Sequence, residues 1–118
     1  METDLIPSAS QRRCPIRTTL QLIGGKWKLL LIYQLSNEPL RFAELKKRIV
    51  DISEKMLAQE LKQLQQDLLI LKNEQEQTYQ ISPQGRLVLP LLASMRDFAQ
   101  QYLEFSQTPL KDDNPRDF

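Results

Sequence analysis

Residues 53–68, with the sequence SEKMLAQELKQLQQDL, carry the clearest two-faced pattern in this chain of 118 residues. Their leucines recur at spacings of three and four residues and form one apolar stripe, made of Leu57, Leu61, Leu64 and Leu68. The opposite stripe has the same spacing and is made of Lys55, Gln59, Lys62 and Gln66. Ser53 stands where a helix N-cap is wanted, because its hydroxyl can accept from a free backbone N–H. The pattern predicts a helix over residues 53–67, packed on one side and exposed on the other.

Three shorter helices are predicted before this one. The first begins at Cys14-Pro15, because proline is tolerated in the first turn, and ends at Gly24-Gly25. The second covers about residues 26–36 and the third about residues 42–50. Trp27 recurs with leucines at helical spacing, so we assign it to the core.

A β-hairpin and a last helix are predicted after it. Two strand-like runs at residues 69–72 and 78–81 are separated by a polar connection of five residues. The last helix starts at Ser82-Pro83 and runs to about Ser106, with Pro90 either bending it or delaying its true start. At a rise of about 1.5 Å per residue it could exceed about 30 Å. Its wide apolar side needs a second surface, for which another copy of the chain is the simplest source.

Composition limits what this chain can do. With 41% hydrophobic and 26% charged residues it has the balance of one soluble globular domain. We expect a mobile arm at residues 1–13, the domain at 14–106 and a flexible tail at 107–118. No apolar run approaches the roughly 20 residues of a membrane span, and no leader opens the chain, so we expect a cytoplasmic protein without membrane contact.

The chemistry-bearing residues argue against an enzyme. The chain has no histidine, which excludes Ser-His and Cys-His catalysis. Its one cysteine, Cys14, excludes a disulfide within the chain and, without histidine, a zinc site of Cys and His ligands. We therefore expect a binding module with no catalytic residues, no metal and no cofactor.

Charge is unevenly distributed along the chain. Residues 11–62 contain eleven Lys and Arg residues against five Asp and Glu residues, a net charge of +6, whereas residues 63–118 carry −3. A basic block of this kind is typical of a phosphate-binding surface. A solvated helix face is the alternative that charge alone leaves open.

The order of the elements, two short helices joined by a turn and then a β-hairpin, is that of a winged helix-turn-helix. The fold class is therefore mainly α-helical with a small β-hairpin, and the helix at 53–67 would lie in the DNA major groove. Lysine reaches phosphate or guanine, and glutamine matches adenine N6 and N7. The predicted DNA contacts are Lys26, Arg41, Lys46, Lys47, Ser53, Lys55, Met56, Gln59 and Lys62.

These residues also carry a resemblance. Residues 14–67 resemble the core of the HxlR family of winged-helix transcriptional regulators, and the similarity extends over about residues 14–105. The landmarks are Cys14-Pro15, Gly24-Gly25-Lys26-Trp27, Leu40-Arg41-Phe42, Glu44-Leu45, Ile52-Ser53-x-Lys55-Met56-Leu57 and the stretch from Tyr79 to Gly85. The resemblance implies a homodimer that is clasped through its first and last helices and binds operator DNA. The dimer residues it implies are Ile16, Leu20, Leu91, Met95, Phe98, Tyr102 and Phe105.

This sequence departs from the family pattern in the second half. The family usually has glycine at the position of Leu68, and leucine enters a left-handed helix cap only at a cost. We therefore expect the preceding helix to end differently or to run slightly longer. Lys72, where arginine is common, is a further predicted DNA contact. The wing is short and carries Glu74 and Glu76, which would face phosphates in a minor groove.

Cys14 is a candidate sensor. Some proteins of the HxlR type use a cysteine at the start of the first helix to sense electrophiles or oxidants. Here the helix N-terminus and three neighbours, Arg12, Arg13 and Arg17, favour the thiolate. The alternative is a small residue that only packs. A reactive Cys14 could form only a bond between subunits, a mixed disulfide or an adduct.

Together these features predict a homodimeric, sequence-specific DNA-binding regulator. We expect a repressor on an inverted-repeat operator, with a small molecule or an oxidant as a possible effector acting through Cys14. The alternative from another class is a winged-helix module that docks onto a protein, with the acidic wing marking weak or lost DNA affinity.

Overall fold

Six helices and three short strands make up residues 14–106, the part of the chain that this computed structural model describes. The predicted arm at 1–13 and tail at 107–118 lie outside the described residues. In chain order the elements are α1 Pro15–Ile23, α2 Lys28–Leu35, β1 Leu40–Arg41, α3 Phe42–Arg48, α4 Glu54–Gln66, β2 Ile70–Asn73, β3 Thr78–Ile81, α5 Pro83–Arg86 and α6 Leu89–Phe105.

Helix α4 forms as its two-faced sequence predicts. The Ser53 hydroxyl accepts a hydrogen bond from the Met56 backbone N–H at 3.0 Å, so serine is the N-cap. Three leucines of the apolar stripe, Leu57, Leu61 and Leu64, are at most 1% exposed. The burial of these side chains sets the rotation of α4 about its axis and turns the opposite stripe outward.

The end of α4 contradicts our expectation about Leu68. The helix ends at Gln66 and does not run on, and Leu68 adopts the left-handed conformation with φ 62°. The Leu69 N–H bonds to the Leu64 carbonyl at 2.9 Å and the Leu68 N–H to the Gln65 carbonyl at 3.0 Å, which is the glycine-type cap built with leucine. Leu68 is therefore exposed and is not part of the buried stripe.

Ser82 holds this strained turn in place. Its hydroxyl donates to the Leu68 carbonyl at 2.7 Å and accepts from the Gly85 N–H at 2.9 Å. One buried hydroxyl thus joins the end of α4 to the start of α5. The hydrogen bonds offset the left-handed penalty of about 1–2 kcal/mol for a residue with a Cβ. This support explains why the chain adopts the cap without glycine.

The strands form an antiparallel sheet in the order β1-β3-β2. The hairpin of β2 and β3 is the predicted wing, with Ile70 opposite Ile81. Strand β1 is an addition to the prediction, since Leu40 and Arg41 pair with Tyr79 and Thr78. Two residues are too few to show the alternating pattern by which a strand is recognised in sequence.

The last helix is interrupted, which confirms one of the two effects expected of Pro90, a delayed start. The four residues of α5 are followed by a short turn, and α6 begins at Leu89 with Pro90 in its first turn. Pro90 thus delays the start of the helix, because its ring would displace a carbonyl in a helix interior. The 17 residues of α6 span about 25 Å, less than the 30 Å expected.

The core lies where α2, α3 and α4 pack on the sheet. Its fully buried apolar side chains are Leu31, Ile32, Leu35, Leu45, Ile52, Leu57, Leu61, Leu64 and Ile70. Trp27 and Phe42 pack against this cluster and are half-buried, which confirms the assignment of Trp27. Over residues 14–106, no helix has the length and apolar character that a membrane crossing requires.

Candidate nucleic-acid interface

The exposed face of α4 is the centre of the candidate site. Lys55, Gln59, Lys62 and Gln66 are all exposed. Met56, also a predicted contact, is half-buried and packs partly against the core, so only part of it faces outward. Ser53 is exposed, but its hydroxyl is engaged as the N-cap of α4. The face combines two positive charges with amide groups, which suits both phosphates and base edges.

An ion pair that sequence reasoning missed joins α4 to α2. The Lys28 ammonium lies 2.8 Å from a Glu60 carboxylate oxygen, and the two side chains are only 12% and 17% exposed. Glu60 is thereby paired toward α2. No sequence signal links residues 28 and 60, because the two positions lie in separate helices whose packing brings them together.

Asp67 stands at the C-terminal end of α4. Burial raises the pKa of its carboxyl above the ordinary value of 3.8, and the nearby charge of Lys28 opposes part of this rise. Lys28 therefore acts on two carboxyl groups that lie seven residues apart on the same helix. Of the two carboxyl groups, only that of Glu60 forms an ion pair with Lys28.

Helix α3 supplies a second group of cations. Lys47 is exposed, while Lys46 is half-buried and its ammonium donates to the Val50 carbonyl at 3.4 Å. Arg48 is paired with Glu38 at 3.0 Å. Among these three, Lys47 is the residue whose charge faces solvent most openly.

Arg41 links α3 to the wing. Its backbone N–H donates to the Glu44 carboxylate at 2.7 Å, which closes the first turn of α3, and its side chain is exposed. Arg41 is also paired with Thr78 on β3. The register therefore places this guanidinium at the edge of the sheet that carries the wing.

The two remaining predicted cations rest on aromatic rings. The Lys26 ammonium lies 4.7 Å from the centre of the Trp27 ring, between α1 and α2. The Lys72 ammonium lies 5.4 Å from the centre of the Tyr79 ring, across β2 and β3. Each is a cation–π contact that orients the lysine without neutralising its charge. They lie on different elements from the cations of α3 and α4.

The wing tip is a tight acidic turn. The Asn73 side-chain oxygen accepts from the backbone N–H groups of Gln75 and Glu76 at 3.0 and 3.1 Å. Glu74 and Glu76 are exposed at the tip. Two carboxylates at this point would oppose a phosphate backbone.

A separate apolar surface covers α1 and α6, and we call it the apolar face. All seven residues that the family resemblance assigns to a dimer are exposed, from 38% for Leu91 to 93% for Phe105. An open groove of about 540 Å³ runs between the two helices and is lined by Ile16, Leu20, Leu91 and Met95, among others. An exposed apolar surface of this kind marks an interaction site.

Cys14 is the N-cap residue of α1. It is half-buried, and its carbonyl accepts from the Thr18 N–H at 3.0 Å. Of the three arginines expected beside it, Arg17 is exposed on α1, whereas Arg12 and Arg13 lie outside the described residues.

A basic and amide-bearing helix, preceded by a short helix and followed by a β-hairpin, defines a winged helix-turn-helix protein of the DNA-binding class. Comparison with known proteins agrees with this class. Residues 22–107 match the sequence profile of the family described as HxlR-like helix-turn-helix. The chain belongs to this family of transcriptional regulators.

Three relatives illustrate the similarity. The chain is 41% identical over 90 residues to the HTH-type transcriptional regulator YdzF of Bacillus subtilis, covering 71% of this chain and 83% of that protein. The quinone-bound structure of YodB from B. subtilis matches with a TM-score of 0.68 and 31% identity, over 75% of this chain and 99% of the other. The redox regulator HypR in its oxidised form matches with a TM-score of 0.67 and 28% identity, over 75% and 96% of the two chains.

Proposed function

We propose that this chain is a homodimeric, sequence-specific DNA-binding regulator that inserts α4 of each subunit into the major groove of an operator. The observation that carries the proposal is the face of α4, where Lys55, Gln59 and Lys62 are exposed on a helix whose opposite, leucine-bearing side is buried. Lys47 and Arg41 would contact the phosphate backbone on either side. Lys26, Lys46 and Lys72 are further candidates for phosphate contacts.

The apolar face supports the dimer. Phe98 is 69% exposed and Phe105 93%, which is costly for single aromatic side chains in water. A second copy with the same two helices would cover the face through a two-fold axis. Two α4 helices related by that axis would read an inverted repeat, with half-sites about one helical turn apart. Repression then follows where such an operator overlaps a promoter.

Cys14 supports a redox or electrophile response. It is the N-cap residue of α1, a helix of the apolar face, so modification at this position would act on the subunit contact. The relatives include a quinone-bound YodB and the redox regulator HypR, which makes an oxidant or a quinone-like electrophile the effector to test. A Cys14→Ser variant should keep DNA affinity and lose the response to diamide or quinone. An unchanged response in that variant would remove Cys14 from the proposal.

The acidic wing favours a second candidate, a winged-helix module that docks onto another protein. Glu74 and Glu76 are exposed on the turn that Asn73 closes with two hydrogen bonds, where their charges would repel a phosphate backbone. This candidate predicts weak DNA binding that is indifferent to sequence. A cytoplasmic location is part of both proposals.

Selection from a random pool of DNA duplexes at two salt concentrations separates the two candidates. A regulator enriches an inverted repeat, and its affinity falls steeply with salt, since each phosphate neutralised contributes about −0.9 to the log–log slope. A protein-docking module enriches no sequence. The second outcome would overturn the proposed function and would single out the wing as the reason.

A further inference from the structure

Two polar side chains share one exposed side of α4. Lys55 and Gln59 stand four residues apart, so they lie on the same side of the helix, and both are exposed. The fully buried Leu57 and Leu61 lie on the other side and fix this rotation. Both exposed residues belong to the N-terminal half of α4, which is the part of a recognition helix that contacts bases.

We propose that in each operator half-site Gln59 reads an adenine and Lys55 reads a guanine one or two base pairs away. The proposal rests on the proposed function and specifies the DNA sequence that this function requires. Four residues of helix separate the two side chains by about 6 Å along the axis. Base pairs follow one another at about 3.4 Å, so the two contacts fall on neighbouring or next-but-one pairs.

The neutral amide makes Gln59 the principal determinant. A lysine gains energy from any nearby phosphate, whereas an amide gains little from net charge and finds its best partner at a base edge. Glutamine offers one donor and one acceptor in the geometry of adenine N7 and N6. Lys55 adds a donor for guanine N7 and O6 one turn earlier on the same face.

The residues next to Gln59 do not place an uncompensated negative charge beside the proposed base contacts. Glu60 follows Gln59 directly, but its carboxylate is paired with Lys28 on α2 and only 17% of its side chain is exposed. Its negative charge is therefore compensated on the scaffold side. Lys62 and Gln66 continue the exposed stripe toward the C-terminus, where a recognition helix leaves the groove, so they lie beside phosphates.

The test repeats the duplex selection with the full chain and three variants at one salt concentration. Gln59→Ala should lose the adenine preference at one position of each half-site, a discrimination of about 5- to 150-fold. Gln59→Glu should replace adenine by cytosine at that position, because a carboxylate accepts from cytosine N4. Gln100→Ala makes the same change at an exposed position of α6, outside the candidate DNA-binding face, so it is the matched control and should leave the selected sequence unchanged.

Each outcome has one meaning. A Gln59→Ala variant that selects the same half-site as the parent overturns the assignment of Gln59. It leaves the proposed function standing, because the parent still selects a DNA sequence. Failure of Gln59→Glu to change the selected base overturns it equally. No enrichment by the parent chain instead overturns the proposed function itself. Circular dichroism of each variant checks that it is folded. We expect the Gln59 variants to fold, because the side chain at this position is exposed.

Discussion

The Lys28 ammonium lies 2.8 Å from the Glu60 carboxylate, so an ion pair joins α2 to α4, the helix that carries the candidate DNA contacts. The two side chains are mostly buried, so neither charge is fully solvated. The pair therefore contributes little net stability while intact, yet removing one partner leaves a buried charge without compensation.

Lys28→Met should lower the free energy of unfolding by about 3 kcal/mol, because it leaves the Glu60 carboxylate buried without a partner. Urea unfolding at neutral pH measures the change. The control is Arg48→Met, which breaks the exposed pair with Glu38 and should cost no more than about 1 kcal/mol. Equal losses in the two variants would show that the buried pair has no special role.

Asp67→Asn should raise the free energy of unfolding at neutral pH. Burial raises the pKa of Asp67 in the folded chain above 3.8, so the folded state binds more protons than the unfolded state between 3.8 and the raised value. Stability therefore falls as pH rises through this window. The negative charge also lies at the C-cap of α4, the negative end of its dipole.

The gain from Asp67→Asn should disappear below pH 3.8, where the carboxyl is protonated in both states. Urea titrations at neutral and acidic pH test this directly. The control is Asp97→Asn, at an exposed position of α6. An Asp67→Asn variant that is less stable than the parent at neutral pH would contradict the account of this site.

Leu68→Gly should stabilise the fold by about 0.5–1 kcal/mol. Glycine removes the penalty of about 1–2 kcal/mol that leucine has in the left-handed conformation. Part of this gain in the free energy of unfolding is lost, because glycine gives the unfolded chain more conformational entropy. Leu68 is exposed, so little apolar contact is lost. Thermal unfolding measures the shift, with Leu71→Gly on β2 as a control that should destabilise. A destabilised Leu68→Gly variant would mean that the leucine side chain packs more than its exposure indicates.

Phe98→Glu should convert the proposed dimer into monomers. The ring is exposed in the middle of the apolar face, stacked 6.0 Å from Tyr102, and a carboxylate there would be buried between subunits. Sedimentation velocity reads the result. Gln100→Glu adds the same charge at an exposed position on another side of α6 and should leave the dimer intact. Dissociation by both variants would indicate net repulsion and would not locate the interface.

Lys47→Ala should weaken binding evenly across DNA sequences and reduce the salt slope by about 1, because one phosphate contact is lost. Arg48→Ala is the matched control, since Arg48 follows directly on α3 and is paired with Glu38. Affinity measured for the enriched duplex and for a scrambled duplex distinguishes the two effects. A change in base preference on loss of Lys47 would place this residue at a base instead.

The local sequence was sufficient to predict α4, because the helical spacing of Leu57, Leu61 and Leu64 indicates a buried side and Ser53 indicates where the helix starts. The wing followed from its polar connection, and the exposed stripe of Lys55 and Gln59 followed from the same periodicity. The position of Leu68 could not be predicted, since the hydrogen bond that supports its conformation comes from Ser82, fourteen residues away. The Lys28–Glu60 pair was missed for the same reason, because helix packing creates it.

The most direct test of the central claim is cross-linking from α4 to DNA. A Gln59→Cys variant in a Cys14→Ser background carries a single thiol, to which a photoactivatable group is attached. On the enriched duplex, we predict cross-links to bases at the centre of each half-site. The same group at the wing tip, in Gln75→Cys, should mark the backbone outside the half-site or nothing. Cross-links from the wing with none from residue 59 would contradict the account.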